Sequence, residues 1–198
     1  MANVSRPNGF VPVGTYGSGG YVGDVRVFLA DQSTAIYIGD PVKSGGSAGA
    51  AGVTVYGLDC EGVPNVDVAA AGNTLLGVVV GFSPKQTDLS VLHKEATSTK
   101  RLAYVDVSPY TIYEVQEDNI GNDIAVTQVG NNFDLAYTAG NATTGISGAL
   151  LDSSDSTGTA TAQFRLLSLS KRVDNSLGTS AKWLVMINEH EYKTTTGT

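Results

Sequence analysis

The sequence predicts an all-β fold: a compact β-barrel or β-sandwich with an extended N-terminal arm and little helix. Composition is the first reason, because the 198 residues include 24 Gly and valine and threonine recur throughout. Valine and threonine favour strands, and glycine supplies the turns between them. Periodicity is the second reason, because a helical spacing of apolar residues is weak along the whole chain. A chain of this length forms one domain or two small ones.

The first 24 residues differ most from the rest of the chain. Proline and glycine are frequent here and leave no room for a regular element. The segment is nevertheless more apolar and aromatic than a solvated tail. We therefore expect residues 1–24 to form an extended arm that a partner or a neighbouring subunit orders, with packing back onto its own barrel as the alternative. The side chains predicted to make that contact are Phe10, Val11, Val13, Tyr16 and Tyr21.

Residues 25–198 carry a series of short apolar runs that predict an all-β core. Clusters of Gly, Asn, Asp and Ser separate the runs, as turns separate strands. Val78–Val80 does not alternate with polar residues, so this strand is expected to be covered on both faces. The core is either one unit or two small subdomains with a boundary near residues 85–100. The predicted strands are Val25–Leu29, Ala35–Ile38, Val53–Tyr56, Leu75–Phe82, Leu102–Val107, Thr111–Gln116, Phe133–Tyr137, Gln163–Leu169 and Trp183–Asn188.

The net charge of the chain, and its lack of an evident targeting signal, indicate which classes of partner we expect. The net charge is -7 and the basic residues are scattered, whereas a nucleic-acid-binding protein needs a basic stripe. No signal peptide and no run of transmembrane length is evident, so we expect synthesis in a cytoplasm and no membrane partner. The single Cys60 has no intramolecular disulfide partner. Packing and oligomerisation must therefore stabilise the fold.

The motifs that carry chemistry are weak, and we expect neither an enzyme nor a cofactor or metal site. His190 lies between two glutamates, but strand alternation points them to the opposite face. Asp118–Asp123 lacks the spacing of a calcium loop, and Gly17–Gly20 lacks the lysine and the helix of a phosphate loop. Ser147 lacks the strand-to-helix context of a nucleophile elbow. A β-fold glycoside hydrolase would need two carboxyl groups about 5–10 Å apart in a cleft.

Eight short motifs, taken in order, resemble a known family. Together they span nearly the whole chain, and their common order is more specific than any one of them. They are Asn8–Val13, Ile38–Val42, Gly77–Phe82, Glu114–Asp118, Gly145–Gly148, Leu151–Ser153, Val173–Asn175 and Ala181–Val185. The chain resembles the capsid cement or decoration proteins of tailed phages and prophages. The resemblance implies an all-β virion protein on the outer surface of the assembled capsid, which it stabilises by binding the major capsid protein. The acidic charge agrees, because a protein inside the shell would face packaged DNA.

We also expect the protein to associate with itself, and one alternative function remains open. Shell accessory proteins occupy symmetry axes, so a homo-oligomer, a trimer or a dimer, is expected. Trp183 and Val185 would lie in the oligomer interface or in the core. A virion fibre or carbohydrate-binding β module is the alternative function, and exposed aromatic side chains that form a stacking platform would identify it.

Overall fold

The computed structural model describes residues 3–97, 99–154 and 160–193 and shows a nearly all-β protein. This confirms the predicted fold class. The strands are β1 (Val11–Thr15), β2 (Val25–Ala30), β3 (Pro41–Ala48), β4 (Thr54–Val55), β5 (Leu58–Asp59), β6 (Pro64–Val68), β7 (Gly77–Phe82), β8 (Arg101–Asp106), β9 (Thr111–Gln116), β10 (Asn132–Phe133), β11 (Leu135–Ala136), β12 (Leu150–Leu151), β13 (Phe164–Leu169) and β14 (Lys182–Ile187). Short 3-10 turns lie at Val126–Gln128 and Glu191–Lys193. Among the described residues, no helix has the length and apolar character needed to span a membrane.

The first half of the chain forms a closed barrel with the strand order β2-β6-β3-β7-β8. Strand β2 pairs with β8 along its whole length, but it meets β6 only where Leu29 pairs with Asn65. Aliphatic side chains around Phe28 fill the interior. The β4–β5 hairpin contributes Val55 to a smaller apolar cluster that also contains Leu29 and Leu102. Because Phe28 points inward, Leu29 points outward, and this smaller cluster lies on the outside of the barrel.

Strand β1, from the N-terminal segment, joins four strands of the second half of the chain in a five-stranded antiparallel sheet with the order β1-β9-β14-β13-β10. Buried and half-buried side chains alternate along β9 and β14, as expected for strands with one covered face. Tyr113, Trp183 and Val185 all lie on the covered face and are fully buried. Trp183 and Val185 therefore lie in the core of the chain itself.

One apolar cluster joins the barrel to the sheet. It contains Leu75 and Val78 from the barrel side together with Tyr113 and Trp183 from the sheet. The next side chain of β7, Val79, points into the barrel interior. Strand β7 is therefore covered on both faces, as its uninterrupted run of valines predicts.

Hydrogen bonds of the buried Gln163 reinforce the junction. Its Nε2 donates to the carbonyl oxygens of Ala70 at 2.9 Å and Asn73 at 2.7 Å, in the loop that precedes β7. Its Oε1 accepts from the N–H of Leu135 at 3.0 Å. Since a buried amide is costly unless all its groups are paired, Gln163 fixes the barrel loop against the sheet.

The structure does not confirm a separate N-terminal arm. Strand β1 pairs with β9, and Phe10 is fully buried, its ring stacked on Phe164 with centroids 4.3 Å apart. Pro12 is compatible with this strand because β1 is at the edge of the sheet, where a missing N–H breaks no ladder hydrogen bond. This part of the segment is ordered by its own chain, which was the alternative interpretation. Phe10 is accordingly not available to a partner.

Candidate interaction surface

Four exposed tyrosines lie at the junction of barrel and sheet, and we call them the tyrosine face: Tyr16, Tyr21, Tyr110 and Tyr192. Their exposed fractions lie between 41% and 66%. They come from three separate parts of the chain that the fold brings together. Tyrosine is enriched among the residues that dominate protein interfaces, because its ring gives a large contact area at low entropic cost.

The segment after β1 positions the first two tyrosines. The N–H of Tyr16 donates to the carbonyl oxygen of Tyr110 at 2.8 Å, which continues the β1–β9 pairing by one residue. Thr15 then closes the glycine-rich loop, because its hydroxyl group accepts from the N–H of Val22 at 2.8 Å and donates to the Val22 carbonyl at 3.1 Å. The loop returns the chain to the junction, where Tyr21 lies.

The carboxylate of Asp106 is the centre of the polar network below this surface. Asp106 is fully buried, and it accepts hydrogen bonds from the hydroxyl groups of Tyr21 at 2.9 Å and Thr111 at 2.8 Å. Partial burial, and then the hydrogen bond to Asp106, raise the pKa of Tyr21, so its phenol remains a neutral donor at physiological pH. A Cβ at residue 23 would overlap the Tyr21 ring, so Gly23 is required for this position.

The turn that follows β14 positions Tyr192. Its N–H donates to Nδ1 of the buried His190 at 3.0 Å, and the two rings lie 5.6 Å apart. Burial, and then the charge of Lys193, lower the pKa of His190 to about 4, so the imidazole is a neutral acceptor. Lys193 Nζ lies 5.4 Å from the centroid of the Tyr110 ring. This cation–π contact links the last two members of the tyrosine face.

Apolar residues extend this surface along the start of β2. Val22, Val25 and Val27 are all exposed. Between them, Arg26 forms an ion pair with Asp24 at 2.9 Å, and both side chains are more than half exposed. The combination of exposed rings, aliphatic side chains and charges at the margin is typical of protein interfaces.

The five residues that the sequence suggested for a partner contact are divided by the structure. Tyr16 and Tyr21 lie on the tyrosine face, Val13 is exposed, Val11 is half-buried and Phe10 is in the core. Sequence reasoning missed Tyr110 and Tyr192. The available signal for Tyr110 was its place in the turn after Ser108-Pro109, where a large aromatic side chain is more often exposed than in a strand.

The polar residues Ser147, which is buried, and Asp118, which is half-buried, have structural partners. Ser147 donates to Oδ1 of Asp40 at 2.5 Å, and the N–H of Tyr37 donates to Oδ2 at 2.8 Å. Burial raises the pKa of Asp40 to about 6 against the opposing effect of these hydrogen bonds. Asp118 accepts from the N–H and the hydroxyl of Ser153 at 3.0 Å and 2.7 Å.

Within the ranges 3–97, 99–154 and 160–193, no group of three or more His, Cys, Asp or Glu side chains is placed to hold a metal ion. Comparison with known proteins gives no match to a family model, to a curated protein or to a solved structure.

Proposed function

We propose that this protein is a capsid decoration protein that docks through the tyrosine face onto the outer surface of an assembled viral shell and stabilises it. The single observation that carries the proposal is the cluster of four exposed tyrosines on a rigid junction. The order of motifs along the sequence, which resembles the cement proteins of tailed phages, supports this class of partner. The partner in this proposal is the major capsid protein.

The size of the surface supports docking to a protein. A tyrosine contributes about 200 Å² of contact area, so four half-exposed rings offer about 400 Å². The exposed valines beside them add to this, and a standard interface buries about 800 Å² on each partner. The tyrosine face is thus large enough for the centre of one such interface.

Rigidity supports the same function. The Tyr21 ring is held by the hydrogen bond of its hydroxyl group to Asp106, and the backbone of Tyr192 is held by the hydrogen bond of its N–H to His190. Since ordering side chains on binding costs free energy, a surface whose rings are already held in place binds more tightly for the same area. Several copies, or one homo-oligomer, would add the gain in effective concentration that repeated sites give.

Binding to viral shells is the direct test. Shells stripped of this protein are mixed with wild-type protein or with the Tyr16→Ala/Tyr110→Ala double variant, and the bound fraction and the temperature of shell disruption are measured. We expect wild-type protein to bind and to raise the disruption temperature, and the double variant to lose at least tenfold in affinity. Val173→Ala is the matched control, because Val173 is exposed outside the tyrosine face.

Each outcome of the binding experiment tests one part of this proposal: binding to the shell, the role of the tyrosine face, or stabilisation of the shell. Failure of the wild-type protein to bind would overturn the decoration function. Binding that the double variant retains in full would overturn the role of the tyrosine face. Binding without any rise in the disruption temperature would overturn stabilisation.

The exposed rings also favour a second candidate, the carbohydrate-binding module. Sugars stack on exposed aromatic rings, and Tyr16 and Tyr110 are adjacent in space. Titration with cell-surface polysaccharide distinguishes the candidates: saturable binding that the double variant loses, together with no binding to shells, would favour the carbohydrate function.

A further inference from the structure

Strand β2 has an edge that its own barrel leaves open. The carbonyl oxygen of Asp24 accepts a hydrogen bond from the N–H of Val107 at 2.9 Å, so Asp24 directs its backbone groups toward β8. Because every second residue of a strand points the same way, Arg26, Phe28 and Ala30 also direct their N–H and carbonyl groups toward β8. Because these directions alternate along a strand, Val25, Val27 and Leu29 point at the opposite edge. Of these three residues, only Leu29 pairs with β6.

Val25 and Val27 therefore present two N–H groups and two carbonyl groups away from β8. In the described part of the chain, neither residue takes part in a bridge on that side. The two residues are 48% and 45% exposed. An open edge is a template for an added strand.

At the edge strand β1, by contrast, this protein has features that prevent a further strand from pairing. The N–H of Phe10 leaves the sheet to bond Gly39, so by alternation Pro12 also faces the open side of β1 and offers no donor there. The register of β1 also shifts between Pro12 and Gly14. A proline and a bulge are two devices that prevent edge-to-edge pairing. Strand β2 pairs with β8 without a register shift, and it contains no proline between Val25 and Ala30.

The open stretch of β2 has defined neighbours. At one end, the cluster under the β4–β5 hairpin covers Leu29. At the other end, Val25 pairs with Asp106, the residue that holds Tyr21. Between them, Val27 lies opposite Tyr104. The edge therefore runs directly into the tyrosine face.

In the register that uses both Val25 and Val27, a second copy of this chain is a poor occupant for the edge. Two β2 edges that pair antiparallel through Val25 and Val27 would place Arg26 directly opposite its own counterpart. Like charges at directly opposed positions destabilise a strand pair. The β1 edge of a second copy is blocked by Pro12, as described above.

We propose that an extended segment of the major capsid protein adds to the open edge of β2 as a further strand. This proposal rests on the proposed decoration function. Only an extended backbone supplies donors and acceptors at the spacing of a ladder, and alternate side chains of such a segment would lie on Val25 and Val27. The residue opposite Arg26 is expected to be acidic or uncharged, because a cation there would repel the guanidinium group.

Hydrogen exchange of the isolated full-length protein tests whether the edge is open. The amides of Arg26 and Phe28 bond β8 and should exchange slowly, whereas those of Val25 and Val27 should exchange at least 100-fold faster. Equal protection of all four amides would mean that the edge is already paired, and it would overturn the proposal.

Binding to stripped shells tests whether the edge is used. Val27→Pro removes one outward N–H and leaves the residues that bond β8 in place, so binding should weaken at least tenfold. Val27→Thr keeps the N–H and the branched shape and should bind as the wild type does. Slow exchange at Phe28 in the proline variant confirms that β2 remains folded.

The pattern of results separates this inference from the function on which it rests. If wild-type protein does not bind shells, the decoration function is wrong. If the wild type and both variants bind equally, and the amides of Val25 and Val27 stay unprotected on the shell, the decoration function stands and the added strand is wrong.

Discussion

The barrel and the sheet are stabilised in different ways. The cluster that covers the sheet contains large aromatic side chains, such as Trp183, Tyr113 and Phe164. The barrel interior is built mainly from small aliphatic side chains around Phe28. The barrel also carries the long connection between β7 and β8, whose described residues form no regular strand or helix.

Two buried cations fix that connection. Arg101 donates to the carbonyl oxygens of Ser83, Val91 and His93, and Lys94 donates to those of Gln32, Thr34 and Thr97. Irregular backbone leaves carbonyl groups without ladder partners, and these must be paired when they are buried. The regular strands of the sheet are stabilised mainly by aromatic packing, whereas the irregular connection of the barrel also depends on buried cations to pair its carbonyl groups.

Trp183→Ala should have the largest effect, because it removes the main packing element of the sheet. Trp183 is fully buried, and its indole N–H donates to the Glu117 carboxylate at 3.1 Å. Loss of the ring and of this donor should lower the free energy of unfolding by about 4–5 kcal/mol, measured by urea denaturation. Trp183→Phe should cost less, since it keeps most of the volume. A loss below about 2 kcal/mol for the alanine variant would contradict the dominance of aromatic packing.

Arg101→Met should have an intermediate effect, confined to the barrel. Burial lowers the pKa of Arg101, yet its guanidinium group pairs three carbonyl oxygens of the β7–β8 connection. Leaving them without a donor should cost about 3 kcal/mol. The connection should then become sensitive to limited proteolysis. Lys100→Met is the matched control: its partly exposed pair with Asp31 should contribute less than about 1 kcal/mol.

Asp40→Asn should have the smallest effect, and its sign should depend on pH. The pKa of Asp40 is raised from 3.8 to about 6 by burial, so the folded state binds its proton more tightly than the unfolded chain does. The stability from this group is therefore present below pH 4 and is lost as the pH rises through about 6. Asparagine does not ionise, so the variant should gain about 2 kcal/mol relative to wild type between pH 4 and pH 7.5.

The stability of the Asp40→Asn variant is compared with that of wild type at the same pH. The contribution of His190 then cancels, because His190 is present in both proteins and titrates in the same pH range in both. His190 has its pKa lowered to about 4, so its own contribution to stability falls as the pH drops below about 6.5. A difference between the Asp40 variant and wild type that does not change with pH would show that the buried carboxyl group is not the source.

The sequence alone predicted those strands whose pattern of apolar residues matches the pattern of buried side chains in the structure. The alternation of Thr111–Gln116 and the valines of β7 led directly to a half-covered strand and to one covered on both faces. Strand β3 (Pro41–Ala48) was missed, because its glycines look like a loop, and the strand predicted at Ala35–Ile38 is present only as isolated bridges of Ile36 and Ile38. A Cβ at Gly45 would lie 3.0 Å from Cβ of Asn65 on β6, so close approach of the two strands selects a residue with low strand propensity.

The candidate surface could be predicted only in part. Tyr16 and Tyr21 stand out in a segment with few other bulky side chains. Tyr110 is marked only by its place in the turn after Ser108-Pro109, and nothing local distinguishes Tyr192 from tyrosines of the core such as Tyr113. The exposure of Tyr110 and Tyr192 depends on how the barrel meets the sheet. That arrangement is set by long-range contacts such as those of Gln163 with Ala70 and Asn73, which no local pattern encodes.

The wide separation of the tyrosines along the chain has a consequence for biosynthesis. Tyr16 leaves the ribosome early, but the surface to which it belongs is complete only after residue 192 has emerged and its turn has docked against Leu75, whose N–H and carbonyl group bond Glu189 and Glu191. Contacts of such high sequence separation form late and slowly in folding. A truncated or partly folded chain would consequently lack the complete surface, so only finished molecules would be able to join an assembly.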